Sequence, residues 1–201
     1  MQTQTPTRYR QPSGVRKIPA SPLQILTRGI AVGFVATQAL DIVSLFFYEN
    51  MTDADRLQED RARKGHQAYE VMATKIARGL GLKLSEEEIK YWGWKVHRSF
   101  GISGGIQYMA AREKFPAIGA GFGIPYGIGF FVAADEIMTT LTGAVPGPKS
   151  FSWKAHVRGA IAHIVYGVAM EMTARTFDKV AEYEAGEGWA RAEDEGNPSL
   201  Q

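Results

Sequence analysis

Cysteine is absent from the 201 residues of this sequence. Its absence excludes disulfide bonds, thiolate metal sites and a cysteine nucleophile. Acidic side chains are absent from residues 1–24, although this segment contains Arg8, Arg10, Arg16 and Lys17. The formal net charge of the whole chain is only +2. A net charge this small argues neither for nor against binding to nucleic acid. We expect no nucleic-acid partner.

Charged residues are also nearly absent from three long stretches, which are residues 29–48, 115–134 and 159–170. In these stretches the only carboxylic acid is Asp41, and the only histidine is His163. A helix of about 20 residues covers about 30 Å, the thickness of a bilayer's hydrocarbon core. A fourth apolar run is weaker, because His97 and Arg98 interrupt it. The pattern predicts an all-α membrane bundle of about four transmembrane helices, at residues 27–49, 94–111, 115–138 and 155–174.

A soluble all-α protein is the alternative. The apolar runs of buried core helices usually stop at about 10 to 14 residues, and amphipathic helices of soluble proteins keep a polar face. Residues 115–134 are longer than such runs and contain no charged residue. We therefore expect a helical membrane domain over residues 25–175, with the lipid bilayer as its main partner.

Charged segments surround the predicted spans. We expect residues 1–24 to form a flexible basic arm and residues 176–201 to form an acidic tail. Apolar residues at helical spacing after the first span predict an amphipathic surface helix through Tyr69, Met72, Ile76 and Leu80. The basic residues of the arm favour a cytoplasmic N-terminus. An even number of spans then places the C-terminus in the cytoplasm as well.

Small residues recur inside the predicted spans, where they allow membrane helices to pack closely. We expect six glycines to lie in helix contacts, namely Gly29, Gly33, Gly119, Gly123, Gly127 and Gly167. A phosphate-binding loop at residues 119–129 is the alternative interpretation. It is disfavoured because no predicted strand precedes this stretch and no Gly-Lys-Ser/Thr sequence follows it.

Ionisable side chains inside membrane spans are costly and usually face the interior of the bundle. Six such residues form the candidate site, namely Asp41, His97, Asp135, Glu136, His163 and Glu171. The predicted topology places four residues near the outer membrane face, namely His97, Asp135, Glu136 and His156, with Asp41 and His163 deeper and Glu171 nearer the cytoplasm. We expect His97, Asp135, Glu136 and His163 to converge.

Three roles are open for these side chains. They can join helices by hydrogen bonds worth about 0.6 kcal/mol each, or they can handle protons or other cations, because imidazole titrates near neutral pH. They can also bind a divalent metal such as Zn²⁺ as a cofactor. The metal signal is weak, because the sequence has no HExxH or EF-hand spacing.

Four pieces of the sequence resemble the YagU-like inner-membrane family, a group of bacterial helical membrane proteins linked to acid tolerance. The pieces are GIAVGFVATQALD at 29–41, VHRSFGISGGIQY at 96–108, the Asp135–Glu136 pair, and HIVYGVAMEMTAR at 163–175. The resemblance implies a multi-span protein of the bacterial inner membrane. It brings no catalytic residues to transfer to this chain.

The sequence favours a protein that is not an enzyme. Ser99 and Ser103 lie near His97, but no GxSxG or triad signature surrounds them. We expect proton or cation handling at the polar site, linked to acid tolerance. The alternative is an accessory subunit of a larger membrane assembly, whose partner chains would contact the arm at Tyr9 and the acidic tail at Trp189.

Overall fold

The computed structural model describes the backbone of residues 20–194 and the side chains of residues 20–185. These residues form helices and connecting turns, with no strand among them, so the predicted all-α class is confirmed for this part of the chain. The α-helices are α1 Pro22–Glu49, α2 Asp53–Arg63, α3 Ala68–Gly79, α4 Glu86–Lys114, α5 Ile124–Phe131, α6 Thr139–Leu141 and α7 Trp153–Asp194. A 3₁₀ segment, Pro116–Gly123, precedes α5, and a π-helical segment, Val132–Met138, follows it.

The helices begin where the side chains can cap them. Ser21 accepts a hydrogen bond from the backbone N–H of Gln24 at 3.2 Å, and Pro22 occupies the first turn of α1. Ser85 accepts one from the N–H of Glu88 at 3.3 Å at the start of α4. Such caps satisfy backbone N–H groups that have no partner within the helix.

Glycines allow the long helices to approach at backbone distance. α1 packs against α4 and α7, and α5 packs against α7. A Cβ atom added to Gly29 would lie 2.6 Å from the Cα of Ile106, and one added to Gly33 would lie 2.6 Å from the carbonyl oxygen of Gly101. On the other side of the bundle, Gly123 and Gly127 lie against the backbone of α7 around Gly167. The predicted packing glycines therefore lie where no side chain fits.

The third predicted span is not one continuous helix. Gly121, Phe122 and Gly123 have φ values of 59°, 55° and 76°, and α5 begins only at Ile124. Left-handed backbone is open to glycine at low cost but is uncommon for a bulky residue such as Phe122. Within the third predicted span, residues 115–138, the chain therefore has a break before Ile124. Its physical cause is the glycine-rich sequence that ends at Pro125.

Two segments are long and apolar enough to cross a membrane by length and composition, namely Pro22–Glu49 and Pro116–Leu141. In the most apolar 18 residues of each segment, only 22% and 17% of the residues are buried. The core helix of a soluble protein, by contrast, is mostly buried. The other two predicted spans lie within α4 and α7 and do not meet this criterion, so four spans are not confirmed.

The predicted boundaries of the flanking segments differ from the helix ends. α1 begins at Pro22, inside the predicted arm, and α7 continues to Asp194, inside the predicted tail. The remaining predictions for the arm, including those for Arg8, Tyr9, Arg10, Arg16 and Lys17, lie outside the described residues, as do residues 195–201 and the side chain of Trp189.

Candidate functional site

A cavity of about 610 Å³ lies between the long helices, at the end of the bundle where α1 ends and α4 and α7 begin. Five of the six predicted site residues line it, namely Asp41, His97, Asp135, Glu136 and His163. His156, at the start of α7, lines the same wall. Glu171 does not line this cavity and lies towards the other end of the bundle.

His97 of α4 pairs with Asp41 of α1. Its Nε2 lies 2.7 Å from Oδ1 of Asp41, and a guanidinium nitrogen of Arg98 lies 3.5 Å from the other carboxylate oxygen. The imidazole ring also packs against Tyr69 and Trp94, at centroid distances of 5.1 and 5.7 Å. Burial raises the pKa of Tyr69 to about 12, so this phenol stays neutral at physiological pH.

The two acids of the third segment lie in the π-helical turn Val132–Met138. A π-helical turn is rare and occurs often at functional sites, because its extra residue changes the direction of the side chains. Asp135 and Glu136 thereby both line the cavity, next to each other in the sequence.

His156 has an acceptor at both ring nitrogens. Its Nδ1 lies 2.7 Å from Oε1 of Glu136, and its Nε2 lies 3.0 Å from the carbonyl oxygen of Pro148. A neutral imidazole has only one N–H donor. A neutral His156 beside an ionised Glu136 can therefore form only one of these two hydrogen bonds. Both form when the His156–Glu136 pair binds one additional proton. These two distances suit an imidazolium beside a carboxylate.

His163 is the most buried histidine of the cavity, with 7% of its side chain exposed. Its Nδ1 donates to the carbonyl oxygen of Gly159 at 2.9 Å, one turn earlier in α7. The carboxylate of Asp135 lies 3.8 Å from the same nitrogen, beyond hydrogen-bond distance. Asp135 keeps 49% of its side chain exposed.

A further ion pair, between Arg158 and Glu59, lies beside the cavity near α2. Arg158 donates to both carboxylate oxygens of Glu59, at 2.9 and 2.6 Å, and Arg63 lies 2.6 Å from Oε1. Glu59 is 1% exposed and Arg158 is 8% exposed. Sequence reasoning missed both residues. Arg158 had a signal, because it stands one residue before an apolar stretch of α7, whereas Glu59 lies within a charged run that hides it.

Glu171 forms a separate network at the opposite end of the bundle. Its carboxylate accepts hydrogen bonds from Tyr108 at 2.5 Å, Arg112 at 2.9 Å and Arg175 at 2.7 Å. Arg112 also donates to Asp178 at 2.8 Å. The side chain of Glu171 is 2% exposed, so this network joins α4 to α7 inside the protein.

Metal binding gains no support from the arrangement of these side chains. Among the side chains of residues 20–185, no three His, Cys, Asp or Glu residues lie close enough together to hold a metal ion. The histidines are instead distributed between separate carboxylates: His97 pairs with Asp41 and His156 with Glu136. These contacts have the geometry of hydrogen bonds between helices.

Residues 69–172 match a family described as protein of unknown function, DUF1440. The chain belongs to this family. Neither the curated proteins nor the solved structures contain a match to the chain. The matched range of this DUF1440 member contains all three histidines of the cavity and the two acids of the π-helical turn, whereas Asp41 and Glu59 precede it.

Proposed function

We propose that this chain is a multi-pass membrane protein, without enzymatic activity, that binds protons in the cavity at histidine–carboxylate pairs. The resemblance to the YagU-like family supports a bacterial inner-membrane location and a role in acid tolerance. The basic arm supports cytoplasmic termini. The observation that carries the proposal is the His156–Glu136 pair.

Exposed apolar side chains support contact with lipid. Ile42 and Phe46 of α1 are 70% and 60% exposed, and Ile137 of the third segment is 51% exposed. Apolar surface in water costs about 25 cal/mol per Å², so a continuous apolar exterior favours a bilayer. Ile76 on α3 and Leu80, which follows its last residue, are also exposed, while Glu70, Ala73 and Ala77 are buried. This arrangement suits a helix lying in the membrane interface.

The polar residues that interrupt the second and fourth predicted spans have partners inside the bundle. In α4, His97 pairs with Asp41, and Arg98 hydrogen-bonds Gln38. In α7, Arg158 pairs with Glu59. Membrane helices carry ionisable residues in this way, facing inward and paired. The pairing supports four spans despite the lower hydropathy of α4 and α7.

The His156–Glu136 pair links proton binding to helix contacts. With the proton bound, His156 connects the start of α7 to the π-helical turn and to the Pro148 carbonyl. Without it, one ring nitrogen presents a lone pair to an oxygen at 3.0 Å or less, which is repulsive. A change of external pH would therefore alter the contacts at this end of the bundle.

Histidine ring nitrogens report this proton directly. The chain contains only 4 histidines, so ¹⁵N-labelled histidine gives a resolvable NMR spectrum in detergent or nanodiscs. At neutral pH we expect His156 to carry a proton on both nitrogens, and the Glu136→Gln variant to show a neutral ring. Glu87→Gln, at an exposed position on α4, serves as the matched control. A neutral His156 ring in the wild-type protein would contradict the proposal.

The physiological part of the proposal has its own test. A strain that depends on this protein for survival at low pH should lose that survival with Glu136→Gln and keep it with Glu87→Gln, at equal protein levels. Equal survival with both variants would show that acid tolerance does not depend on the proton site.

A further inference from the structure

The cavity is much larger than a proton site requires. Its volume of about 610 Å³ lies within the range of about 300 to 1,000 Å³ that is typical of pockets for small organic molecules. Its walls are largely apolar and aromatic, with Phe100, Phe130, Phe131 and Tyr166 among the lining residues. Such walls suit the body of an organic ligand.

The charges around the cavity leave one negative charge uncompensated when the histidines are neutral. The acids on the wall are Asp41, Asp135 and Glu136, with Glu59 behind them. The cations are Arg63 and Arg158 on the wall and Arg98 beside Asp41. Among the residues that line the cavity, three carboxylates thus face two guanidinium groups. One bound proton or one monovalent cation restores neutrality.

Asp135 is the carboxylate that is free to hold a ligand. Arg98 and His97 contact Asp41, and His156 contacts Glu136. Within the described residues, the side chain of Asp135 accepts no hydrogen bond. It lines the cavity, and about half of it is exposed. An ionised carboxylate on a largely apolar wall is costly unless a cation pairs with it.

The aromatic side chains of the wall already accommodate cations. The guanidinium carbon of Arg158 lies 5.3 Å from the centroid of the Tyr48 ring, and that of Arg98 lies 5.9 Å from the Trp94 ring. Both rings belong to cavity-lining residues. Ring faces attract cations through their quadrupole, so the wall suits a positively charged group better than an anion.

We propose that the cavity binds an organic cation: a protonated amine on an apolar body, with its ammonium group at Asp135. The inference rests on the proposed proton site, because the cation replaces the proton of the His156–Glu136 pair in neutralising the cavity. Binding of the amine therefore releases a proton, and acidification displaces the amine.

Calorimetric titration of the purified full-length protein with 4-phenylbutylamine tests this inference, and 4-phenylbutan-1-ol provides a neutral comparison of similar shape. We expect the amine to bind at least tenfold more tightly than the alcohol, and Asp135→Asn to weaken amine binding about tenfold or more, as for the loss of a charge-assisted hydrogen bond. Asp53→Asn, whose side chain is 96% exposed on α2, should leave binding unchanged.

The outcomes separate this inference from the proposed function. Equal binding of amine and alcohol, or equal amine binding by Asp135→Asn and wild type, would overturn the cation site. Displacement of the amine by sodium chloride but not by potassium chloride at equal ionic strength would indicate an inorganic ion site and overturn it too. If no amine binds while NMR shows the proton on His156, only this inference fails. Titrations in two buffers of different ionisation enthalpy measure the protons released on binding. Amine binding without proton release would contradict the proposed exchange of proton for amine.

Discussion

Gly33 offers the sharpest test of the packing between α1 and α4. A Cβ atom at this position would lie 2.6 Å from the carbonyl oxygen of Gly101 and 2.7 Å from the Cα of Ile102. Both atoms belong to the backbone of α4, so no side chain can turn away. Ordinary contacts of a Cβ atom lie at 3.4–4 Å. Gly33→Ala must therefore push the two helices apart by about 1 Å, in an interior packed as densely as a crystal.

The expected cost follows from two opposing effects. Overpacking a well-packed interior costs about 1 to 3 kcal/mol, whereas replacing glycine by alanine within a helix gains up to about 1 kcal/mol. We expect Gly33→Ala to lower the free energy of unfolding by about 1 to 2 kcal/mol. Gly129→Ala is the matched control, because a Cβ atom at this helical position would meet nothing within 4 Å. It should instead stabilise the protein by about 0.4 to 1 kcal/mol.

Thermal unfolding in mild detergent measures both variants. For a chain of this size about 1 kcal/mol corresponds to about 2 to 4 °C in Tm, so Gly33→Ala should unfold several degrees below wild type and Gly129→Ala slightly above it. Both variants add one methyl group to a helix. Tm shifts of opposite sign therefore cannot result from the added methyl group alone. Equal Tm values for the two variants would refute the close contact of α1 with α4.

Further predictions concern the Glu171 network, the membrane and the partners. Glu171→Ala removes the carboxylate shared by Tyr108, Arg112 and Arg175, although Arg112 keeps Asp178 and Arg175 is 46% exposed. It should cost about 1 to 3 kcal/mol of unfolding free energy, and an unchanged unfolding curve would contradict this. The protein should stay in the membrane pellet after alkaline carbonate washing, and its recovery in the aqueous fraction would exclude a membrane protein. Reporter fusions should place both termini in the cytoplasm, whereas opposite sides would remove one span. Native mass measurement tests the subunit alternative: a stoichiometric larger complex would support it, and a monomer or homo-oligomer would refute it.

The helical class and the apolar segments could be predicted because they depend on local composition. A charge-free run such as residues 115–134 indicates its environment without knowledge of its neighbours. The choice of polar residues was also accessible, since an isolated Asp41 or His163 within an apolar run stands out. Five of the six chosen residues line one cavity.

The pairings could not be read from the sequence, because they depend on the packing of distant helices. His97 and Asp41 are 56 residues apart, and Arg158 and Glu59 are 99 apart. The π-helical turn at Asp135 has no sequence signature of its own. Glu171 was grouped with the other site residues because it is an ionisable residue within a predicted span. Its partners Tyr108 and Arg112 could not be predicted, because they lie on a different helix.

α7 continues without a break from the cavity to well beyond the Glu171 network. Its 42 residues extend for about 63 Å, roughly twice the thickness of a hydrocarbon core. The Glu171 network contacts α7 near the middle of the helix and can serve as a pivot point, the fulcrum. His156 lies on one side of this point and residues 172–194 lie on the other. A tilt of about 5° around the fulcrum moves the far end, about 35 Å away, by about 3 Å. In the proposed membrane orientation, a tilt of α7 that begins at the cavity would therefore move the opposite end of this helix sideways by the same amount.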